Sequence, residues 1–159
     1  MARSFGFYVT RFALAHIGIV VALMALGYVL TYVDTLTLPE GAGIGAAIGI
    51  LTVVLCVPSI QTGKVFFDHT NRAMTVGEGW GFALVFTIVV LVLYGGIFYG
   101  VSLFEPQLRS TLSEAVNYPA TVAIILGCVA LFFLLTHKLV LSATIRGQIK
   151  RANRRESRR

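Results

Sequence analysis

Residues 12–33, 41–63, 79–104 and 115–137 of this 159-residue chain contain no Asp, Glu, Lys or Arg. Each stretch exceeds the roughly 20 residues that a helix needs to cross about 30 Å of hydrocarbon. Four such windows in series predict four membrane-spanning helices, over about 9–33, 41–63, 79–104 and 118–142. The expected fold class is all-α, a polytopic four-helix transmembrane bundle. Residues 1–145 make one transmembrane domain and 146–159 a basic tail.

The ends of the spans carry their own signals. Pro39 suits the first turn of span two, where its missing N–H costs nothing. Pro58 is expected to kink that span near its inner end, and the helix to run on towards His69. Lys64 and Asp68 stand four apart, the spacing of a supporting ion pair, and Asn71 suits a left-handed stop. Thr75 and Glu78 form a capping box ahead of the third apolar run, and Asn117 and Pro119 open the fourth. Phe5, Phe7, Tyr8 and Trp80 fall at the inner headgroup level; Tyr28, Tyr32, Tyr99, Phe104 and Tyr118 fall at the outer one.

Composition agrees with this reading. Hydrophobic residues make up 57% of the chain and charged ones 13%, against about 25% charged in a soluble domain. Arg3 and Arg11 precede the first apolar run as in a signal peptide. That run is too long, however, and no small-x-small cleavage site follows, so it is expected to stay as an anchor. Of 13 lysines and arginines, 12 lie at the N-terminus, between spans two and three, or from Lys138 onward. Arg109 is alone on the other side, with Asp34, Glu40, Glu105 and Glu114. The positive-inside rule then puts both termini in the cytoplasm.

Span two opens with GAGIGAAIGI. Extended at helical spacing, Gly41, Gly45, Gly49, Thr52, Cys56 and Ser59 make a stripe of small residues, with Ile44, Ile48, Leu51 and Leu55 opposite. Glycine costs a helix interior roughly 1 kcal/mol in water, less where the backbone has no water to turn to. In lipid, small residues let helix backbones approach. Shorter stripes occur at Ala15, Gly18, Ala22 and Ala25, at Ala120, Ala123, Gly127 and Ala130, and at Gly96 and Gly100. Span two is expected to pack centrally within the bundle, a homo-oligomeric seam being the other use of the same face.

Candidate chemistry is sparse. No span holds an Asp, Glu, Lys or Arg near its middle, where a transporter normally keeps one. His16 and His137 lie at similar depth, a few residues in from the inner surface. An interfacial role is expected for both, with a paired haem or metal site as the alternative. Two imidazoles are too few for zinc without a partner such as Cys56. Cys56 and Cys128 sit inside spans and read as small apolar side chains. The capping box accounts for Glu78, and Lys64 for Asp68. No phosphate loop, nucleophile elbow or metalloprotease helix is present, so no cofactor or enzymatic activity is expected. Arg146, Lys150, Arg151, Arg154, Arg155, Arg158 and Arg159 would hold anionic lipid at about 1 kcal/mol each. Protein docking is the alternative use of that cluster, and nucleic acid is not expected.

The segment TGKVFFDHTNRAMTVGEGW contains Gly63, Phe67, Arg72, Thr75, Glu78 and Trp80. With Arg11-Phe12 opening span one, it resembles an uncharacterised family of small four-span bacterial inner-membrane proteins. Members carry a Gly-x3-Phe…Arg-x2-Ser/Thr-x2-Glu-x-Trp loop between spans two and three. The family pattern has Gly before the Arg and Pro before the Thr, where this chain has Asn71 and Met74. The resemblance implies topology and a bacterial inner membrane, and no activity. The functional expectation is an accessory or scaffold subunit, or a homo-oligomer, acting by helix association. A small transporter or channel, and a haem-bearing anchor, are the alternatives.

Overall fold

The computed structural model describes residues 4–32 and 42–158, with the side chains at 27–32, 42–48 and 51 outside the described set. Among the described residues all regular structure is helical: α1 (Phe5–Tyr32), α2 (Ala42–Thr70), α3 (Val76–Ser102), α4 (Pro106–Ala115) and α5 (Pro119–Glu156). Three helical segments are long and apolar enough to cross a membrane: Phe5–Leu26 of α1, all of α3, and α5.

The local signals explain where the helices stop and start. α2 runs through Pro58 to Thr70, and Asn71 ends it at φ 48° while its N–H still bonds the Phe67 carbonyl at 2.8 Å. Asparagine is among the few side chains that tolerate this left-handed conformation. Thr75 then caps α3: its Oγ1 accepts from the Glu78 N–H at 3.2 Å, and Glu78 Oε2 accepts from the Thr75 N–H at 2.8 Å.

α4 lies in a stretch that the apolar pattern leaves as a connector. Pro106 occupies its first turn, and Leu108, Leu112 and Ala115 share one side of an otherwise polar, unburied helix. Arg109 folds back onto the end of α3, its Nη2 2.9 Å from the Leu103 carbonyl and its Nε 3.4 Å from that of Ser102. Those carbonyls have no donor within the helix. The one basic residue expected on the outer side thus has a local structural job.

α5 packs on both α2 and α3, α1 packs on the same two helices, and α4 touches α3. α1 and α5 therefore face each other across an interior flanked by α2 and α3. Tyr8 and Phe12, Leu55 and Phe66, Phe82, Phe86 and Val90, and Phe133, Leu141 and Ile145 form that interior. Most of them lie towards the α2–α3 connection, with Leu55, Val90 and Phe133 at or just past the middle of their helices. Towards the other end the chain presents open apolar surface, and residues 123–128 of α5 are exposed on every side.

The small-residue stripe of α2 behaves differently from expectation. The surroundings of Gly41 and Gly45 lie outside the described residues. A Cβ on Gly49 would meet no atom within 4 Å, Thr52 is exposed, Cys56 is half-buried, and Ser59 is fully buried. Leu55, expected on the opposite face, is 2% exposed. The reason is the breadth of the stripe: it mixes steps of three and four residues, and at about 100° per residue Gly49 and Ser59 point about 80° apart. Gly49 points about 120° away from Leu55 by the same geometry, while Leu55, Ser59, Thr62 and Phe66 share the buried face. The close approach of α2 to α5 comes at Gly63 instead, where a Cβ would stand 3.3 Å from Cβ and Cγ2 of Thr144.

Candidate functional site

The short connection between α2 and α3 is clasped by one arginine. Arg72 donates from Nη1 to Glu78 Oε2 at 2.8 Å and from Nη2 to Glu78 Oε1 at 2.6 Å. Such a two-pronged pair is stronger and more directional than a single contact. Arg72 Nη1 also donates to the Ala73 carbonyl at 3.0 Å, and the guanidinium lies 5.3 Å from the Phe66 ring centre. One side chain therefore ties the end of α2, the connection and the first turn of α3. Glu78 belongs to that capping turn, ahead of the apolar run at 79–104. The Arg72 hydrogen bonds hold its carboxyl down at about 2, Thr75 helping and burial opposing. The same bonds raise Arg72 above its usual range.

The remaining motif residues are placed elsewhere. Gly63 and Phe67 lie on α2, the first against Thr144 and the second partly buried beside the core. Trp80 is exposed on α3, with the Lys138 ammonium 5.7 Å from its ring centre. Gly79 makes room for this, since a Cβ there would collide with the end of Lys138. Among the described residues the ion pair is Arg72 with Glu78. Lys64 and Asp68 are both exposed and do not close the pair that their spacing suggests.

His16 and His137 are not interfacial. Both are fully buried, because each continues a core stripe at four-residue steps: Tyr8, Phe12 and His16 on α1, and Phe133, His137, Leu141 and Ile145 on α5. His137 Nδ1 lies 2.9 Å from Ser59 Oγ, and the Ser59 hydroxyl donates to the Leu55 carbonyl at 3.2 Å. The Ser59 hydroxyl proton has two acceptors in reach, the Leu55 carbonyl and Nδ1, and whichever it takes, Nε2 of His137 has no partner. Nε2 of His137, both nitrogens of His16 and Oγ1 of Thr62 are buried without a partner. Ser59, singled out for its size, is thus also a hydrogen-bonding residue.

Aromatic rings fill the space beside the imidazoles. Phe12 lies 5.7 Å from the His16 ring and 5.4 Å from the His137 ring, and it stacks flat on Phe86 at 3.7 Å. Tyr94 meets His16 edge-on at 5.8 Å. No third His, Cys, Asp or Glu joins the pair among the described residues.

No protein-family model, curated protein or solved structure matches the chain. Its functional residues are therefore read from their own geometry. The basic residues Arg146, Lys150, Arg151, Arg154, Arg155 and Arg158 are exposed on or just past the end of α5, which stays helical to Glu156. Arg159 lies outside the described residues. Cys56 and Cys128 are free thiols, the second exposed beside Gly127. Arg72 as the partner of Glu78 went unread in the sequence, although an arginine six residues before a capping glutamate is within reach of it across a tight connection. The burial of the histidines was also legible, in the aromatic residues at four-residue spacing before each of them.

Proposed function

We propose that this chain is a non-enzymatic integral membrane protein that works by associating with other membrane helices, as an accessory or scaffold subunit or as a homo-oligomer. In this reading it crosses a bacterial inner membrane four times, α2 being the fourth span, with both termini cytoplasmic. The basic end of α5 holds anionic lipid at the inner surface.

The supporting observation is where the glycines point. Gly18, Gly49, Gly96, Gly100 and Gly127 would each place a Cβ in open space, while the core fills the opposite half of the molecule. Leucine would serve as well as glycine against acyl chains. A smooth face gains only when another helix lies on it. The closed half acts as a stiff base, and the open half offers the contact surface.

Bismaleimide cross-linking in membranes at native expression tests this, through Cys128 and, in a Cys56→Ser background, through Gly49→Cys and Gly96→Cys. Discrete dimers or partner adducts are expected. Single chains alone from all three positions would contradict the association.

A small transporter is the second reading, favoured by two imidazoles inside a membrane segment, where ionisable groups usually serve transport. Cysteines at Thr52, Thr87 and Thr121 separate the two. Thr87 is buried, with its hydroxyl bonded to the Ala83 carbonyl at 2.8 Å. A water-soluble maleimide reaches position 87 only if an aqueous path exists.

A further inference from the structure

Four helices contribute polar groups around the shared Phe12 ring in the closed half: His16 from α1, Ser59 from α2, Tyr94 from α3 and His137 from α5, with Thr62 one turn along α2 from Ser59. A buried polar atom without a partner costs about 1–3 kcal/mol, and native structures keep few of them. Here three imidazole nitrogens and one hydroxyl share that condition within one core. Thr87 and Ser102, the other buried Thr and Ser among the described residues, both bond backbone carbonyls. The anomaly is therefore local, and it centres on the histidines.

The identity of the unpartnered atoms gives it a chemical meaning. Ser59 occupies Nδ1 of His137, so Nε2 stands in the core with no hydrogen-bond partner. His16 adds two more such nitrogens in the same interior. We infer that His16 and His137 form one internal proton-binding site, and that proton uptake loosens the packing of α1 and α5 around it.

The surroundings set the sign. From α1 the facing groups are Phe12 and, two turns away, the Tyr8 phenol; from α2 they are Ser59, Thr62 and the half-buried Cys56 thiol. α3 supplies Phe86 and the Tyr94 phenol, and α5 supplies Lys138, whose ammonium is turned away over Trp80. No carboxylate is buried among the described residues; Asp68 is exposed, and Glu78 is engaged by Arg72 at the connection. A second proton on the His137 ring thus brings a positive charge among aromatic rings with only His16 to share it. The Phe12–Phe86 stack, which touches His137 from both rings, has to give way or admit water. Any opened state binds the proton more readily than the closed one, so stability falls as pH falls.

Thermal unfolding of the full chain in lipid nanodiscs between pH 8 and pH 5.5 tests this, together with 15N-histidine spectra of the folded chain carried down to about pH 3.5. The midpoint of the natural chain is expected to fall by about 3–5 °C on acidification. His137→Asn keeps a donor for Ser59 but cannot titrate, and His16→Phe extends the aromatic stripe. Either substitution is expected to flatten the slope, while His69→Gln at the exposed end of α2 leaves it intact. In the spectra, His16 and His137 are expected to titrate together, and His16→Phe to shift the midpoint of His137. An unchanged slope in both core variants, or independent titration of the two rings, would overturn the inference. So would stoichiometric zinc, copper or iron that leaves with either substitution.

Discussion

Gly63 brings the backbone of α2 against the side chain of Thr144 on α5, and a Cβ at position 63 would also lie 3.6 Å from a Leu141 methyl. Gly63→Leu is expected to cost about 1–3 kcal/mol by overpacking, read as a lower unfolding midpoint in a detergent that disperses the protein to single chains. Gly63→Ala should do less harm, and Thr144→Ser, by removing Cγ2, should recover part of it. Gly49→Leu should leave the single-chain midpoint unchanged, since nothing stands within 4 Å. Equal losses at positions 49 and 63 would refute this packing.

The clasp between Arg72 and Glu78 has a defined pH dependence. Glu78 ionises at about 2 in the folded chain, below its ordinary value of 4.5. A depressed carboxyl contributes stability above its unfolded value and loses it only as pH falls towards the folded one. The difference in midpoint between the natural chain and Glu78→Gln should therefore be the same at pH 8 and pH 5.5. A difference that vanishes at pH 5.5 would show that the carboxylate is not held in this way. Thr75→Ala, which removes the other half of the capping box, should cost about 1 kcal/mol.

Ser59 and Thr62 sit one turn apart and should respond oppositely to loss of the hydroxyl. Ser59→Ala strands Nδ1 of His137 and is expected to cost about 1–3 kcal/mol. The Thr62 hydroxyl has no partner to lose, so Thr62→Val should be neutral or stabilising. Chemical denaturation in detergent measures both, and the reverse order would rule out the hydrogen-bond assignment.

Arg109 secures the last turn of α3 rather than the topology. Arg109→Gln should speed amide exchange at residues 103–105, whose N–H groups bond Gly100 and Val101. It should leave the orientation unchanged, because the charge bias across the membrane does not depend on it. Accessibility tags on the two termini and exchange mass spectrometry read the two outcomes separately.

Features that depend on neighbouring residues were legible in the sequence. The capping box at Thr75, the left-handed Asn71 and the continuation of α2 past Pro58 all follow from local backbone chemistry. Features that depend on direction around a helix were harder to read. Depth alone put His16 and His137 at the headgroups, whereas their faces put them in the core. A stripe drawn in mixed steps of three and four spans a broad arc of the helix, which hid that Gly49 stands away from the buried side. α4 escaped notice because Leu108, Leu112 and Ala115 are too few to mark a period in a polar decapeptide. Lys64 and Asp68 show the converse: correct spacing on an exposed face does not bring two solvated charges together.

The association reading stands or falls on particle size. Blue-native electrophoresis of a mild-detergent extract, taken from cells making the protein at native level, should show a species larger than one chain in its micelle. Gly96→Leu combined with Gly127→Leu should collapse that species to the single chain without lowering the single-chain midpoint. A natural chain that already migrates alone would contradict the account.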